Sequence, residues 1–573
     1  MNIFTIFEEQ IRLIYQDLSD SGQVTKGADL SRVAVELPRD ETHGDLACNV
    51  AMVLAKQVSL KPCDLAALFA DKLTLHDDVA QVVIAGPGFL NITLTEGRWG
   101  AEISDILATQ DYGRSDSGSG QAVNIEFVSA NPTGPLHAAH ARGAILGDVL
   151  ANLLAFSGYN VTREYYINDA GAQVDVLARS AQLRYREALG EDGAVIADGL
   201  YPGEYLKEVG AGLVEQHADA LLALDEVEWL PLIRTFAIEQ MMTSIKTDLS
   251  EMGIQMDVFS SERALVDSGI VAQSIDKLTR MELVYRGILE PPKGQLPEDW
   301  EPREQLLFKA SEFGDDVDRP LQKSDGSWTY FASDVAYHMD KLSRTGGAMI
   351  DVWGADHGGY VKRMKAATEA ISGQKNMLDV KLCQLVTLLD KGTPVKMSKR
   401  AGTFITLKDV MDAVGADVMR FIMLTRRSDQ TLEFDYARVT EKSRENPVFY
   451  VQYAHARASS VLRQAAGQPV TSIATGRLVD IHEVRVIRQL ASFPQVVKSA
   501  ALSHEPHRIA FYLIDLASLF HGLWNAGRDN SDLRFICDND DELTGARLAL
   551  ISATRGVISQ GLSLMGITAL EEM

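Results

Sequence analysis

Two histidines, His137 and His140, stand three residues apart behind a Pro-Thr-Gly-Pro turn in the stretch NPTGPLHAAHARG. Imidazoles so spaced suit three chemistries: a metal pair, satisfied helix histidines, or donors at the mouth of a nucleotide site. Zinc needs a third ligand at close spacing; none is nearby, and the H-E-x-x-H pattern is absent. Where a helix starts after a strand, backbone N–H groups and the positive helix end favour phosphate, and imidazole N–H groups add to that. The four-residue pattern alone leaves the helix-histidine reading open.

A second cluster, Lys396-Met397-Ser398-Lys399 with Arg400 and Gly402 behind it, follows the apolar run VTLL and precedes a helical pattern. Two ammonium groups on such a loop can meet a triphosphate and stabilise the charge of a leaving pyrophosphate. Alone, the cluster reads more simply as a solvated basic loop. Histidines first and lysines second, one set in each half of an alternating sheet, are far more specific than either.

These groups need a frame, and the apolar pattern supplies one. AVNIEFVSA reads as a parallel strand covered on both faces, LHAAHARGAILGDVLANLLAFSG as a helix, YNVTREYYIND as a second strand and AGAQVDVLARSAQLRYREALG as a second helix. Alternation resumes with AMIDVWGAD, a helix from Gly359 to Ile371, and VKLCQLVTLLDK. The pattern predicts an α/β fold with a doubly wound, Rossmann-like parallel sheet, interrupted at about 195–300 by a less regular helical insertion. Upstream lies a small α+β unit. In it MNIFTIFEEQIRLIYQDL has the spacing of an amphipathic helix, DLACNVAMVLAK reads as a helix and VAQVVIAGPGFLNITLT as strands. DYGRSDSGSGQ (111–121) reads as a linker. The pattern is helical from about Asp409, with Asn446 and Pro447 as N-cap and first-turn proline of a C-terminal helix.

Composition bounds the function. With 46% hydrophobic and 23% charged residues, the 573-residue chain is ordinary globular protein. The cysteines, Cys48, Cys63, Cys383 and Cys537, are scattered with no C-x-x-C pair, which argues against a zinc ribbon or disulfide framework and suits a reducing cytoplasm. No stretch offers the ~20 apolar residues of a membrane span. A net charge of −24 argues against wholesale coating of nucleic acid. Yet residues 441–528 hold 10 Lys and Arg against 6 Asp and Glu, so a helical module there can grip a polyanion; +4 is also ordinary surface variation.

Longer motifs carry a resemblance. EFVSANPTGPLHAAHARGAILGDVL, REYYINDAGAQ, WGADHGGYVKRMKAA and VKMSKRAGTFITLKDV, with LPRDETHGDLACNVAMVLAK before and NPVFYVQYAHARASSVL after, resemble class I arginyl-tRNA synthetases over essentially the whole chain. The resemblance implies an N-terminal α+β tRNA-contacting domain (1–115), a Rossmann-like catalytic domain (116–430) and an all-α anticodon-binding domain (431–573). It implies an arginine–tRNA ligase: the arginine carboxylate attacks the α-phosphate of ATP, pyrophosphate leaves with Mg2+, and the terminal adenosine of tRNA(Arg) takes the arginyl group. No protein nucleophile is needed, so catalysis rests on positioning and charge stabilisation.

By the same motifs, His137, His140, Lys396 and Lys399 supply the catalytic donors, and Pro132, Gly134, Asp356, His357, Met397 and Ser398 complete the ATP site. Asp356 and His357 suit the adenosine or the amino acid. Glu126, Asn131, Glu262, Tyr330 and Asp334 match the arginine pocket, where a guanidinium fork demands acceptors in fixed geometry. Tyr330 and Asp334, four apart, share one face of a helix. Tyr450, Tyr453, His455 and Arg457 are candidates to hold anticodon bases by stacking, although the tyrosines equally fit a bundle core. The expected partners are tRNA(Arg), L-arginine and ATP; the expectation includes no tightly bound protein metal, no DNA, no membrane and a monomeric, cytoplasmic chain. Two departures stand out. Ala139 replaces a glycine usual beside adenine, and Gly358 stands where many members carry a second histidine. Ala139 keeps a non-catalytic tRNA-binding relative in view, while the lysine loop, insertion and helical module count against a small nucleotidyltransferase.

Overall fold

The computed structural model of the chain describes residues 2–191, 196–289, 303–395, 405–443, 445–466, 474–538 and 540–573. Its frame is a five-stranded parallel sheet of β1 (Ala122–Glu126), β2 (Asn160–Ile167), β3 (Val258–Ser261), β4 (Ala348–Gly354) and β5 (Leu378–Cys383), in the spatial order 5-4-1-2-3. The order reverses between β1 and β4, and at such a switch point the carboxyl ends of the strands leave a crevice for ligands. Helix α1 (Ala138–Phe156) joins β1 to β2, α2 (Ala172–Ala188) follows β2, α3 (Tyr330–Thr345) precedes β4, and α4 (Val361–Ser372) joins β4 to β5. The expected α/β, doubly wound class is the observed one.

One strand overturns an expectation. β3 lies inside the stretch read as a helical insertion, yet it is the edge of the main sheet. Four half-buried residues, VFSS, are too short to show an alternating pattern. The rest of the insertion is helical, Leu206–His217 and Glu226–Glu251 packing on α2, until a small antiparallel sheet that begins at Val284–Ile288.

Helix α1 is apolar nearly all round, so only burial on every side stabilises it. Gly147 lets it sit on the end of β1, since a Cβ there would lie 2.2 Å from the Phe127 ring. On its other side, Asn152 donates to the Leu564 carbonyl at 3.2 Å and Asp148 pairs with the buried guanidinium of Arg420. Arg420 also donates to the carbonyls of Met565 (2.7 Å) and Met252 (2.9 Å), fastening the C-terminal helices to the sheet.

At the N-terminal end, the helix Ile3–Asp20 buries Ile3, Phe7, Ile11 and Leu18 as its spacing predicts, with Tyr15 in place of the partly exposed Ile14. DLACNVAMVLAK is not one helix. Leu46–Cys48 forms a strand against Leu90–Ile92 before the short helix Val50–Leu54, because an open partner edge outweighs local helix propensity. The 111–121 stretch is pinned: the Tyr112 hydroxyl accepts from Asn2 at 3.1 Å and its ring stacks 6.3 Å from Phe493.

The C-terminal bundle contains α5 (Pro447–Gln464), α6 (Ile481–Ser503), α7 (His507–Asp529) and α8 (Asp541–Leu564). Asn446 caps α5 as expected, its side chain accepting from Val448 N at 3.1 Å. Among the described residues α7 alone is long and apolar enough to cross a membrane; half of it is buried in the bundle. Before the bundle, the helical pattern from Asp409 is broken by a strand, Leu432–Asp435, parallel to Val386–Asp390. VKLCQLVTLLDK therefore supplies two strands to two sheets.

Candidate active site

The turn between β1 and α1 is strained. Val128 and Ser129 have φ of +70° and +39°, a region that a β-branched residue enters only under constraint. The constraint is visible: the Ser129 hydroxyl donates to Glu126 Oε1 at 2.9 Å and accepts from Tyr166 N at 3.1 Å, while Asn168 donates to the Ser129 carbonyl at 3.3 Å. Asn131 follows, donating to Gln173 Oε1 at 2.8 Å. Pro132 is buried, and the Thr133–Gly134 turn lies under Tyr205 of the insertion, whose hydroxyl donates to the Thr133 carbonyl at 2.6 Å.

His137 is the N-cap of α1, and its backbone N–H donates to Nδ1 of His140 at 3.0 Å, the two rings stacking 5.1 Å apart. With Nδ1 accepting, the neutral ring of His140 carries its proton on Nε2, a donor suited to a phosphate oxygen. Ala139 between them is exposed, so its methyl packs into no core. The chain after the lysine cluster returns here: Ala138 N donates to the Ile405 carbonyl at 3.2 Å and Leu407 N to the Leu136 carbonyl at 2.7 Å. Lys396, Met397, Ser398 and Lys399 themselves lie outside the described residues.

Buried Arg142, two residues past His140, donates to the carbonyls of Gln430 (2.6 Å), Arg427 (2.7 Å), Gln384 (3.2 Å) and Arg426 (3.4 Å). It thereby clamps α1 to the entries of both parallel strands of the second sheet. Asp356 and His357 sit in the turn after β4, 3.7 Å apart, with side chains 82% and 63% exposed. At Gly358 a Cβ would meet only Leu382, at an ordinary 3.5 Å, so the backbone there accepts a side chain.

On the other side of the crevice lies a buried carboxylate network. Glu126, at the end of β1, accepts from Lys341 Nζ at 2.6 Å, and the same wholly buried ammonium reaches Asp351 at 2.8 Å. Burial alone would lower Lys341 and raise Asp351, but their mutual attraction, aided by Glu126 and His338, drives both the other way. His338 Nε2 lies 2.9 Å from Asp351, and its Nδ1 lies 2.8 Å from the Asp334 carbonyl. Glu164 on β2 is bound by Arg344, Ser260, Asn124 and Tyr337. Every charged member of this layer has a partner.

The layer above differs. Burial pushes Asp334 up to about 6, with Glu126 and Asp351 adding to the rise and the Tyr360 hydroxyl and His338 opposing it. Burial, with Asp334 and Asp169 nearby, pushes Glu262 up to about 7 against one backbone N–H from Ala170. Among the described residues neither carboxyl forms an ion pair. Two desolvated carboxyls side by side create a demand for a cation. The structure thus brings Glu126, Glu262 and Asp334 into one cluster. It does not bring Tyr330 into it: that ring is 74% exposed, with Lys323 Nζ 5.6 Å over it.

Sequence reasoning missed Tyr166, Asp169, Lys341 and Tyr360. Burial raises the Tyr166 hydroxyl well above its usual value, and Glu262, Asp334, Glu126 and Asp169 around it add to the rise. Asp169 accepts from Ser261 Oγ at 2.6 Å and Arg263 N at 2.9 Å, fixing the segment that carries Glu262. Tyr166 and Asp169 stand within YYIND and Tyr360 within GADHGGY, motifs that mark the segments without ranking their residues.

In the bundle, Arg457 donates to the Tyr453 hydroxyl at 3.1 Å, its guanidinium 4.2 Å over the Tyr453 ring and 4.8 Å from that of Trp524. Tyr450 packs on His521 at 4.5 Å. His455 corrects an expectation: it is buried, its Nδ1 2.8 Å from the Leu570 carbonyl, so its ring faces no solvent-borne base. Helical spacing put it on the inner face of α5.

Three family models match the chain: Arginyl tRNA synthetase N terminal domain over residues 7–94, tRNA synthetases class I (R), catalytic domain, over 102–443, and DALR anticodon binding domain over 451–573. The chain is similar to the arginine–tRNA ligase of Azorhizobium caulinodans, 55% identical over 585 residues with 100% of both chains covered. It is similar to that of Ruegeria pomeroyi, 55% identical over 581 residues at the same coverage. Its fold matches the Thermus thermophilus arginyl-tRNA synthetase at a TM-score of 0.73, with 21% identity and 100% of each chain covered.

Proposed function

The chain belongs to the arginyl-tRNA synthetase family and is an arginine–tRNA ligase, and on that premise we propose how its residues share the work. The arginine side chain enters between Asp334 and Glu262, with Asn131 at the α-amine, Glu126 below and Tyr330 at the rim. ATP lies across the start of α1, its phosphates toward His137 and His140, with Pro132, Gly134, Asp356 and His357 around the nucleoside. Lys396 and Lys399, flanking Met397 and Ser398, meet the pyrophosphate as it leaves, and Mg2+ arrives with ATP as part of the substrate. The arginine carboxylate attacks the α-phosphate, forming the adenylate. The terminal adenosine of tRNA(Arg) then attacks the acyl carbon and AMP leaves. The enzyme's part is to hold the reacting groups together and stabilise charge.

We assign residues 1–115 to an N-terminal tRNA-contacting domain, 116–430 to catalysis and 431–573 to the anticodon. There Tyr450, Tyr453 and Arg457 are the groups nearest to stacking geometry, and the chain acts as a cytoplasmic monomer. The pair of desolvated carboxyls, without an ion-pair partner among the described residues, carries the arginine assignment, because a guanidinium supplies the positive charge they lack and donors for their remaining oxygens. Arginine-dependent ATP–pyrophosphate exchange, measured with and without tRNA, tests it. Exchange in either condition is expected with arginine and not with lysine; folded protein showing none in both would overturn the assignment.

A further inference from the structure

Asp334 is not free to offer both oxygens. Tyr360, at the end of the turn that follows β4, donates its hydroxyl to Asp334 Oδ2. The phenol is held in place from several sides: Trp353 lies 6.0 Å from its ring, Phe331 meets it edge-on at 6.5 Å, and the Arg363 guanidinium sits 4.7 Å over its face. Across the pocket Glu262 feels the backbone N–H of Ala170, and no side chain among the described residues donates to its carboxyl. Asp334 thus has a protein donor on one oxygen, and both carboxyls have acceptor capacity to spare.

We propose that Tyr360 is a specificity-determining positioning residue: its hydroxyl occupies one oxygen of Asp334, so that substrate meets a single acceptor there and a second on Glu262. The inference rests on the arginine-pocket reading above and deepens it. Two separated single acceptors fit a planar guanidinium, whose N–H groups diverge; a compact ammonium reaches one at a time. Donation also favours the ionised carboxylate that arginine requires. Asp334 faces His338 on its own helix, Tyr360 from the β4 turn, Glu126 on β1 and Asp351 on β4, with Glu262 across the pocket and Arg319 and Arg363 acting through the phenol. Losing the hydroxyl leaves His338 alone on that helix to oppose the carboxylates of the set. Proton affinity at Asp334 then rises, and arginine competes with a proton at higher pH.

The test is Tyr360→Phe, a change of one oxygen atom that keeps the ring packing, assayed beside Asp334→Asn by pyrophosphate exchange. For Tyr360→Phe the KM for arginine at pH 7 is expected to rise about tenfold, as for one lost charge-assisted hydrogen bond. The acid limb of its pH profile should move to higher pH, with kcat and the KM for ATP within about twofold. An unmoved profile with unchanged KM, or equal rises for arginine and ATP, overturns the role of Tyr360. Should Asp334→Asn leave the KM for arginine unchanged, the pocket reading itself falls. Raised KM in Asp334→Asn with wild-type behaviour in Tyr360→Phe rejects this inference alone.

Discussion

The two halves of the crevice are built on opposite plans. The side proposed for the amino acid is buried and rich in charge: a wholly buried lysine, three carboxylates and two tyrosines lie below and around Asp334 and Glu262. The side proposed for phosphate is half exposed and assembled from helix-end backbone and two stacked imidazoles. A small solute chosen by shape needs acceptors fixed before it arrives, since a buried acceptor left unpaired by the wrong side chain is costly. A triphosphate that must change charge distribution during reaction needs donors aimed at the transition state. Mutations on the first side should therefore act on KM for arginine or on stability, and on the second side on kcat.

The largest break in that contrast comes from Lys341→Met. It strands Glu126 and Asp351 as uncompensated buried charges, and the denaturant midpoint should report a loss of about 3–5 kcal/mol. A loss below ~1 kcal/mol would show the network to be well hydrated. Next, Lys399→Ala should lower the kcat of pyrophosphate exchange about 100-fold with the KM for arginine unchanged, as for a donor lost from the transition state. A pure KM effect on either substrate would erase the distinction between the sides.

An intermediate effect comes from pH. Glu262 at about 7 and Asp334 at about 6 are protonated below those values, and arginine needs them ionised. The KM for arginine should be flat above pH 8 and on the order of tenfold higher at pH 6, while the KM for ATP follows no such curve. Stability has the opposite sign. Between 4.5, the unperturbed value for Glu262, and about 7, the folded state holds the extra proton, so this contribution to stability declines as pH rises through that window. Thermal melts of arginine-free protein at pH 5.5 and 8 read it directly. Ala139→Gly should do least: the methyl is exposed, and the KM for ATP should move by less than about threefold, under 1 kcal/mol.

The same contrast explains what the sequence made legible. His137, His140 and the Asn446 cap announce themselves because helix ends and turns are local. The parallel core strand β1 reads as an apolar run for the same reason, and YNVTREYYIND as a second strand behind its helix. Lys341, Tyr166 and Tyr360 act through space, joining β1, β2, α3 and the β4 turn, and no spacing rule connects residues 126, 341 and 351. Short strands were lost where pairing, not pattern, defines them: Leu46–Cys48, β3 and Leu432–Asp435 each span four residues or fewer. His455 misled because a helix shows the same heptad-like spacing on its buried face as on a binding face.

The turn at Val128 and Ser129 has a consequence for the history of such a protein as well as for its chemistry. Left-handed backbone at a β-branched residue is a standing deficit that glycine would remove. Selection for heat tolerance alone would push position 128 toward glycine, and so would a stability screen in the laboratory. The same change would loosen the turn that aims Ser129 at Glu126 and carries Asn131 to Gln173. A glycine at position 128 therefore trades stability gained in the turn against the hold of Ser129 on Glu126, at the floor of the proposed pocket.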